Sequence, residues 1–216
     1  MKRYIGVIFT LLICSLPYTA TAQKEAKAKQ ILDKTAEAFK KAAPLSADFT
    51  LTVWNNGSPQ NETSGTIVLK GEMFHLTTPS VITWFNGETQ WSYLPANEEV
   101  NISQPTEEEL QNINPYSFVK LYRKGYDYRL GDKTSYKGKA IHEIRLTAEN
   151  DKSPFSEVTL YITQADLLPL YLKVKEQGGG YNTIDIRQCQ QRVNANEKDF
   201  EFDKKKHPHA EVIDLR

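Results

Sequence analysis

Residues Val81–Pro95 read VITWFNGETQWSYLP, two short alternating runs on either side of Asn86-Gly87. An Asn-Gly pair in this setting predicts a β-hairpin, because a two-residue type I′ turn needs positive φ at both central positions. On that turn Phe85 faces Glu88, Trp84 faces Thr89, Thr83 faces Gln90 and Ile82 faces Trp91. Side chains alternate between faces along a strand. Ile82, Trp84, Trp91 and Tyr93 therefore share one surface, and Thr83, Phe85, Glu88, Gln90 and Ser92 share the other. A slip of one residue would mix the two sets. The hairpin thus predicts a broad aromatic face that covers something apolar, backed by a mostly polar one.

The remaining chain supplies more strands of this kind. Ser46–Trp54 alternates, with Ala47, Phe49, Leu51 and Val53 inward, and Asn55–Pro59 is a turn cluster. Gly65–Lys70, Met73–Thr77 and Val100–Ser103 are short strands. From Tyr126 onward, strands at Tyr126–Leu130, Ile141–Thr147, Glu157–Thr163, Leu170–Glu176 and Tyr181–Gln188 recur at regular spacing, many with one apolar face. Phe200 and Phe202 close the pattern before a polar tail. Helical periodicity is confined to two places. Glu25–Ala43 places Ile31, Leu32, Thr35, Ala36 and Phe39 on one side and stops at Pro44. Thr106 with Glu109 forms a capping box, and Asn114-Pro115 starts a second helix that runs to about Arg123. The pattern predicts a mainly β (α+β) fold: a single curved antiparallel sheet, an unclosed half-barrel, with an N-terminal helix and mid-chain lid helices over an apolar cavity.

The 216 residues carry no net formal charge, with 39% hydrophobic and 25% charged residues. This is the balance of a globular chain, and it gives no reason to expect a nucleic-acid partner. Lys2-Arg3, the apolar run Tyr4–Leu16 and Ala20-Thr21-Ala22 form a secretory signal over residues 1–22, leaving 23–216 as one domain that starts at Gln23. A lipoprotein anchor at Cys14 is the weaker reading, since Ile13 is too bulky for that cleavage site. Elsewhere no run approaches the ~18 apolar residues of a membrane span. With Cys14 removed, Cys189 has no partner for a disulfide, and its strand setting reads as a small apolar residue rather than a nucleophile.

Motifs of catalysis are missing: there is no Gly-x-Ser-x-Gly elbow, phosphate loop, dinucleotide fingerprint or His-Glu-x-x-His. The acids Glu107–Glu109 read as helix-start residues. His207-Pro208-His209 is too isolated to outweigh a solvated tail as a metal site. No enzyme activity, metal or cofactor is expected. What remains is an aromatic supply on strands, fitting either an ordinary core or a cavity for an apolar ligand.

One resemblance tips that balance. Leu45-Ser46-Ala47-Asp48-Phe49-Thr50, Gly65–Lys70, Asn86-Gly87-Glu88-Thr89-Gln90-Trp91-Ser92-Tyr93-Leu94-Pro95, Asn114–Phe118 and Phe200-Glu201-Phe202 together resemble the LolA-type periplasmic carriers of outer-membrane lipoproteins. The hairpin is similar to the family's Asp-Gly-Lys-Thr-x-Trp-x-Tyr-x-Pro. The resemblance implies an unclosed barrel lidded by helices, whose cavity shelters acyl chains. It implies a periplasmic monomer that takes acylated lipoproteins from an inner-membrane lipoprotein-releasing ABC transporter to an outer-membrane acceptor. On the aromatic-face reading, the acyl cavity would hold Phe49, Leu51, Leu69, Phe74, Ile82, Trp84, Trp91 and Tyr93, under the lid residues Tyr116, Phe118 and Val119. The family's arginine that ties barrel to lid would follow Lys70, where this chain has Gly71. Arg123 or Arg129 is a candidate replacement. The same fold also serves carriers of non-protein lipids and lipid-sensing regulators of envelope stress. The regulators usually carry a second domain, for which little chain follows Phe202.

Overall fold

The structure is a computed structural model describing residues 18–106, 109–110, 115–118 and 120–216. Helix α1 (Tyr18–Ala42) leads into β1 (Leu45–Asn55), β2 (Ser58–Lys70), β3 (Met73–Thr77), β4 (Ile82–Phe85), β5 (Gln90–Leu94) and β6 (Glu99–Ser103). A lid segment follows, containing the helical turn α2 (Pro115–Phe118) and a 3-10 turn at Leu121–Arg123. The second run is β7 (Tyr126–Leu130), β8 (Ser135–Tyr136), β9 (Lys139–Ala148), β10 (Phe155–Thr163), β11 (Pro169–Glu176) and β12 (Tyr181–Gln191). A 3-10 turn at Glu197–Phe200 and β13 (Glu211–Asp214) complete the described chain.

Both runs are meanders, and they join where β1 pairs with β12. The sheet order is β13-β6-β5-β4-β3-β2-β1-β12-β11-β10-β9-β7, so its two ends do not meet and the half-barrel stays unclosed. All pairings on this path are antiparallel except β13 with β6. Residues paired across neighbouring strands share a face. The concave face therefore carries Leu69, Phe74, Phe85 and Gln90 in one row and Ile67, Leu76, Thr83 and Ser92 in the next.

Helix α1 lies in this concavity against β7. Ala28, Ile31 and Leu32 are buried with Ile144, Leu146, Val158, Leu160 and Leu172 in one core cluster, and Phe39 and Ala42 join a second with Leu45, Phe49, Ile67, Leu69 and Phe74. Each large apolar side chain removed from water stabilises the fold by roughly 1.5–3 kcal/mol. This predicted helical face is the observed one. Helix α1 ends at Ala42, just ahead of Pro44, whose ring cannot continue an α-helix.

The hairpin departs from expectation in its turn. Phe85 pairs with Gln90, Trp84 with Trp91, Thr83 with Ser92 and Ile82 with Tyr93. The loop is Asn86–Thr89. Only Gly87 of the central pair has positive φ, and Asn86 Oδ1 accepts from Glu88 N at 3.1 Å and Thr89 N at 2.9 Å. The register differs from the predicted one by two residues, an even number, so the division into faces survives.

Three further expectations are corrected. Phe200-Glu201-Phe202 is not a strand, and the residues beyond it are not a free tail. The segment crosses the convex face of β3–β5, with Phe200 fully buried and Phe202 and His207 on the aromatic rings there. It then adds β13 to the β6 edge, where Glu211 N donates to Glu98 O at 2.7 Å. Val53, expected inward, is exposed.

Candidate functional site

Helix α1 fills the concave face over β7–β11 and leaves the other half open. There a cavity of about 590 Å³ stands between the sheet and the lid segment, within the range of small-molecule sites. Its floor straddles the β1–β12 junction, with Leu45, Ala47, Phe49 and Leu51 from one strand and Ile184, Ile186 and Cys189 from the other. Phe49 reaches far across the floor because it pairs with Gly65. A Cβ at Gly65 would lie 2.7 Å from the Phe49 ring and 2.6 Å from Thr77 O, so only glycine lets the ring lie over β2. Phe39 of α1, Phe118 of α2, Phe155, Leu172 and Val174 close other sides. A smaller cavity of about 290 Å³ shares Phe39, Leu45 and Leu69 and opens toward Lys40, Gly71, Glu72 and Lys120.

The wall from β4 and β5 differs in chemistry. Thr83, Gln90 and Ser92 face the cavity there, and Thr63, Thr78, Ser80, Asn182 and Glu176 carry polarity around it. Gln90 Nε2 donates to Ser92 Oγ at 3.2 Å. Gln90 Oε1 is shut from solvent without a hydrogen-bond partner. Cys189 is exposed as a residue, but burial of its thiol pushes the pKa up to about 11. A thiol so held stays protonated, which argues against a nucleophile.

Lys120 and Tyr122 tie the lid to the body. Lys120 Nζ lies 3.0 Å from Glu72 Oε1 in the β2–β3 turn, and Tyr122 Oη donates to Asp33 Oδ1 of α1 at 2.5 Å. Hydrogen bonds from Lys29 and then Tyr122 hold the Asp33 carboxyl below its usual range. Burial first, then Asp33, raises the Tyr122 phenol. Where the resemblance places an arginine, Gly71 takes the left-handed conformation with φ +65° and Glu72 accepts from a lid lysine. In this pair the acid stands on the barrel and the cation on the lid. Arg123 Nε contacts Tyr122 Oη at 3.4 Å beside this tie. Arg129 pairs with Arg145 on the convex face, away from the lid. Thr106 and Glu109 make the reciprocal capping bonds expected of them, Thr106 N to Glu109 Oε2 at 2.7 Å and Glu109 N to Thr106 Oγ1 at 3.3 Å.

Of the residues singled out from sequence, Phe49, Leu51, Leu69 and Phe118 line the cavity. Phe74 is fully buried behind the lining, its ring 5.4 Å from that of Phe85. Ile82, Trp84, Trp91 and Tyr93 are brought together, but on the convex face. Trp84 stacks on His75 at 5.2 Å and meets Phe202 edge-on at 5.6 Å, while Tyr93 lies 4.5 Å from His207. The aromatic surface does cover something apolar: the chain's own segment around Phe200. Val119 and the side chain of Tyr116 lie outside the described residues. Ile67, Leu76, Ile184 and Ile186 were not singled out, though strand alternation places them on the same face as Leu69 and Leu51. Among the described residues no group of three His, Cys, Asp or Glu could hold a metal ion, and no helix is long and apolar enough to cross a membrane.

An unclosed antiparallel sheet curved around a helix, with an apolar cavity left standing under a lid, defines a binding fold. The sequence profile described as outer membrane lipoprotein carrier protein LolA matches residues 18–178. The chain belongs to that family, whose members are carriers and binding proteins. Among solved structures, an uncharacterized conserved protein from Thermus thermophilus is similar at TM-score 0.60 and 16% identity, covering 87% of this chain and 99% of that one. LprF from Mycobacterium bovis is similar at TM-score 0.50 and 11% identity, covering 80% and 97%. The LolA superfamily protein NE2245 from Nitrosomonas europaea has TM-score 0.44 at 13% identity, covering 81% and 97%. At these identities the first two show a likeness of fold alone. No curated protein matches the chain.

Proposed function

We propose that this protein is a periplasmic carrier that shelters the acyl chains of lipoproteins in its cavity between an inner-membrane lipoprotein-releasing ABC transporter and the outer membrane. The observation that carries this reading is the 590 Å³ cavity with its apolar floor on the concave face. Each acyl CH₂ removed from water is worth about 0.8 kcal/mol, so a detached lipoprotein needs such a shelter to cross an aqueous space. A floor that is only partly enclosed binds hydrocarbon less well than a bilayer does, which favours delivery without nucleotide. Membership of the carrier family supports the same reading.

Release from spheroplasts of the host cell by the purified protein tests it. Acylated proteins recovered in the soluble fraction as one-to-one complexes are the expected result. Soluble lipid without protein would reassign the cargo to a non-protein lipid. Folded protein that releases neither would remove the carrier reading and favour a sensor of the same fold.

A further inference from the structure

The two ends of the half-barrel differ in charge. Alternate turns of an antiparallel meander lie at the same end of its strands, so the topology sorts the charged residues of the turns into two sets. One set surrounds the start of β1. Lys40 and Lys41 stand there in the last turn of α1, Lys70 ends β2 and Lys139 opens β9. Arg192 follows β12, its backbone N–H donating to Ala42 O at 2.9 Å. Lys120 joins them from the lid through its pair with Glu72. The acids at this end are Glu72, Glu88 and Asp166. The opposite end carries Glu98, Glu99, Glu149, Asp151, Glu176 and Glu211 against Arg123, Lys124 and Lys152. Cations are in excess at one end and acids at the other, in a chain without net formal charge.

Lys40 and Lys41 suit the negative end of α1 by themselves. That does not account for Lys70, Lys120, Lys139 and Arg192, which reach the same end from four other parts of the chain. Lys40, Lys41, Lys139 and Arg192 are all exposed. The cationic end also holds an opening. The smaller cavity, which shares Phe39, Leu45 and Leu69 with the larger one, is bordered here by Lys40, Glu72 and Lys120. We infer that this end docks on an anionic phospholipid surface, its cations against the headgroup phosphates and its acidic counterpart turned toward the aqueous space. A fixed charge asymmetry of this kind both attracts the protein to such a surface and orients it there, within about a Debye length of ~8–10 Å. The inference rests on the carrier reading above, since a carrier has to bring an opening to a bilayer. It adds which end meets the membrane and what chemistry of membrane it meets.

The test is co-sedimentation of the purified full chain with vesicles of phosphatidylcholine alone or mixed with phosphatidylglycerol. Binding is expected only to the mixed vesicles and should fall as salt is raised. Lys41 and Arg192 border neither cavity, so Lys41→Gln with Arg192→Gln should weaken vesicle binding about fivefold for each cation removed. The same pair of changes at the acidic end, Lys152→Gln with Lys175→Gln, should leave it nearly unchanged. Equal binding to both kinds of vesicle, binding to neither, or equal losses in the two double variants would overturn the inference. A fluorescent acyl probe added to the same samples separates this from the carrier reading. Protein that takes the probe but no anionic vesicle removes the docking end alone. Protein that binds anionic vesicles but no probe removes the carrier reading alone. If vesicle binding is absent while release from spheroplasts falls in Lys41→Gln with Arg192→Gln, the cationic end belongs to an acidic membrane protein and the inference fails.

Discussion

The two halves of the concave face have the same architecture and different contents. Over β7–β11, helix α1 and the turn at Leu121–Arg123 fill the curve, and Ile144, Leu146, Val158 and Leu160 are completely buried. Over β1–β5 and β12 the last turns of the helix reach the sheet through Ala38, Phe39 and Ala42, and a cavity remains. One half is a core and the other a receptacle, made by the length and placement of a single helix. The difference teaches that an apolar lining by itself does not report a binding site. What matters is whether the protein has brought enough of itself to cover it.

Truncating each half should separate these roles most strongly. Leu160→Ala leaves a void in the filled half and should lose about 2–5 kcal/mol in urea unfolding. Leu51→Ala borders space that is already open and should lose much less. Equal losses would mean that the second half is as tightly filled as the first. A charge sharpens the contrast in binding. Leu51→Asp should weaken a fluorescent acyl probe about tenfold or more, since one buried aliphatic side chain is worth roughly 1.5–3 kcal/mol. Trp91→Asp, on the convex face, should leave probe affinity near that of the unaltered protein. A matching loss there would return the aromatic face to the site.

The convex covering should respond to acid. Burial holds the His75 imidazole below its ordinary 6.5, with Asp199 opposing and Lys206 assisting. A depressed folded value means the unfolded chain takes up the proton first as pH falls. The contribution is therefore complete above about pH 6.5 and is lost progressively below it. Urea midpoints measured from pH 7.5 to 5 should fall, and His75→Phe should flatten part of that slope; an unchanged slope would deny His75 the role. The smallest effect is expected at the lid. Glu72→Ala removes an exposed pair with Lys120 and should change stability by no more than about 1 kcal/mol, less at high salt.

Much of this was legible in the sequence because strand alternation is local. The two faces of β4–β5 were separated correctly even though the turn was longer than expected, since a shift of two preserves parity. Two Asn-Gly pairs show the limit of the local signal. Asn56-Gly57 has φ of 49° and 77° and makes a two-residue loop between Asn55 and Ser58, as the dipeptide promises. Asn86-Gly87, with the same chemistry, makes a four-residue loop because the Trp84–Trp91 pairing and the Asn86 side-chain bonds select it. Which face turns inward was not legible. The aromatic side of the hairpin is the more apolar, and its covering comes from Phe200 and its neighbours, more than a hundred residues along the chain. Nor could alternation say which half of the sheet helix α1 would leave bare.

The junction of β1 with β12 bears on the order in which the protein comes to exist. Arg187 Nη2 donates to Phe49 O across 138 residues of sequence, whereas the ladders within each meander close over short loops. Contacts so distant in sequence form late, after local pairing has reduced the entropy of joining them. Each meander can begin to assemble as its own residues become available. The floor of the cavity lies across the final seam, with Phe49 and Leu51 on one bank and Ile184 and Ile186 on the other. A partly synthesised chain therefore has strands and hairpins but no receptacle. The capacity to hold a ligand arrives with the last ladder to close.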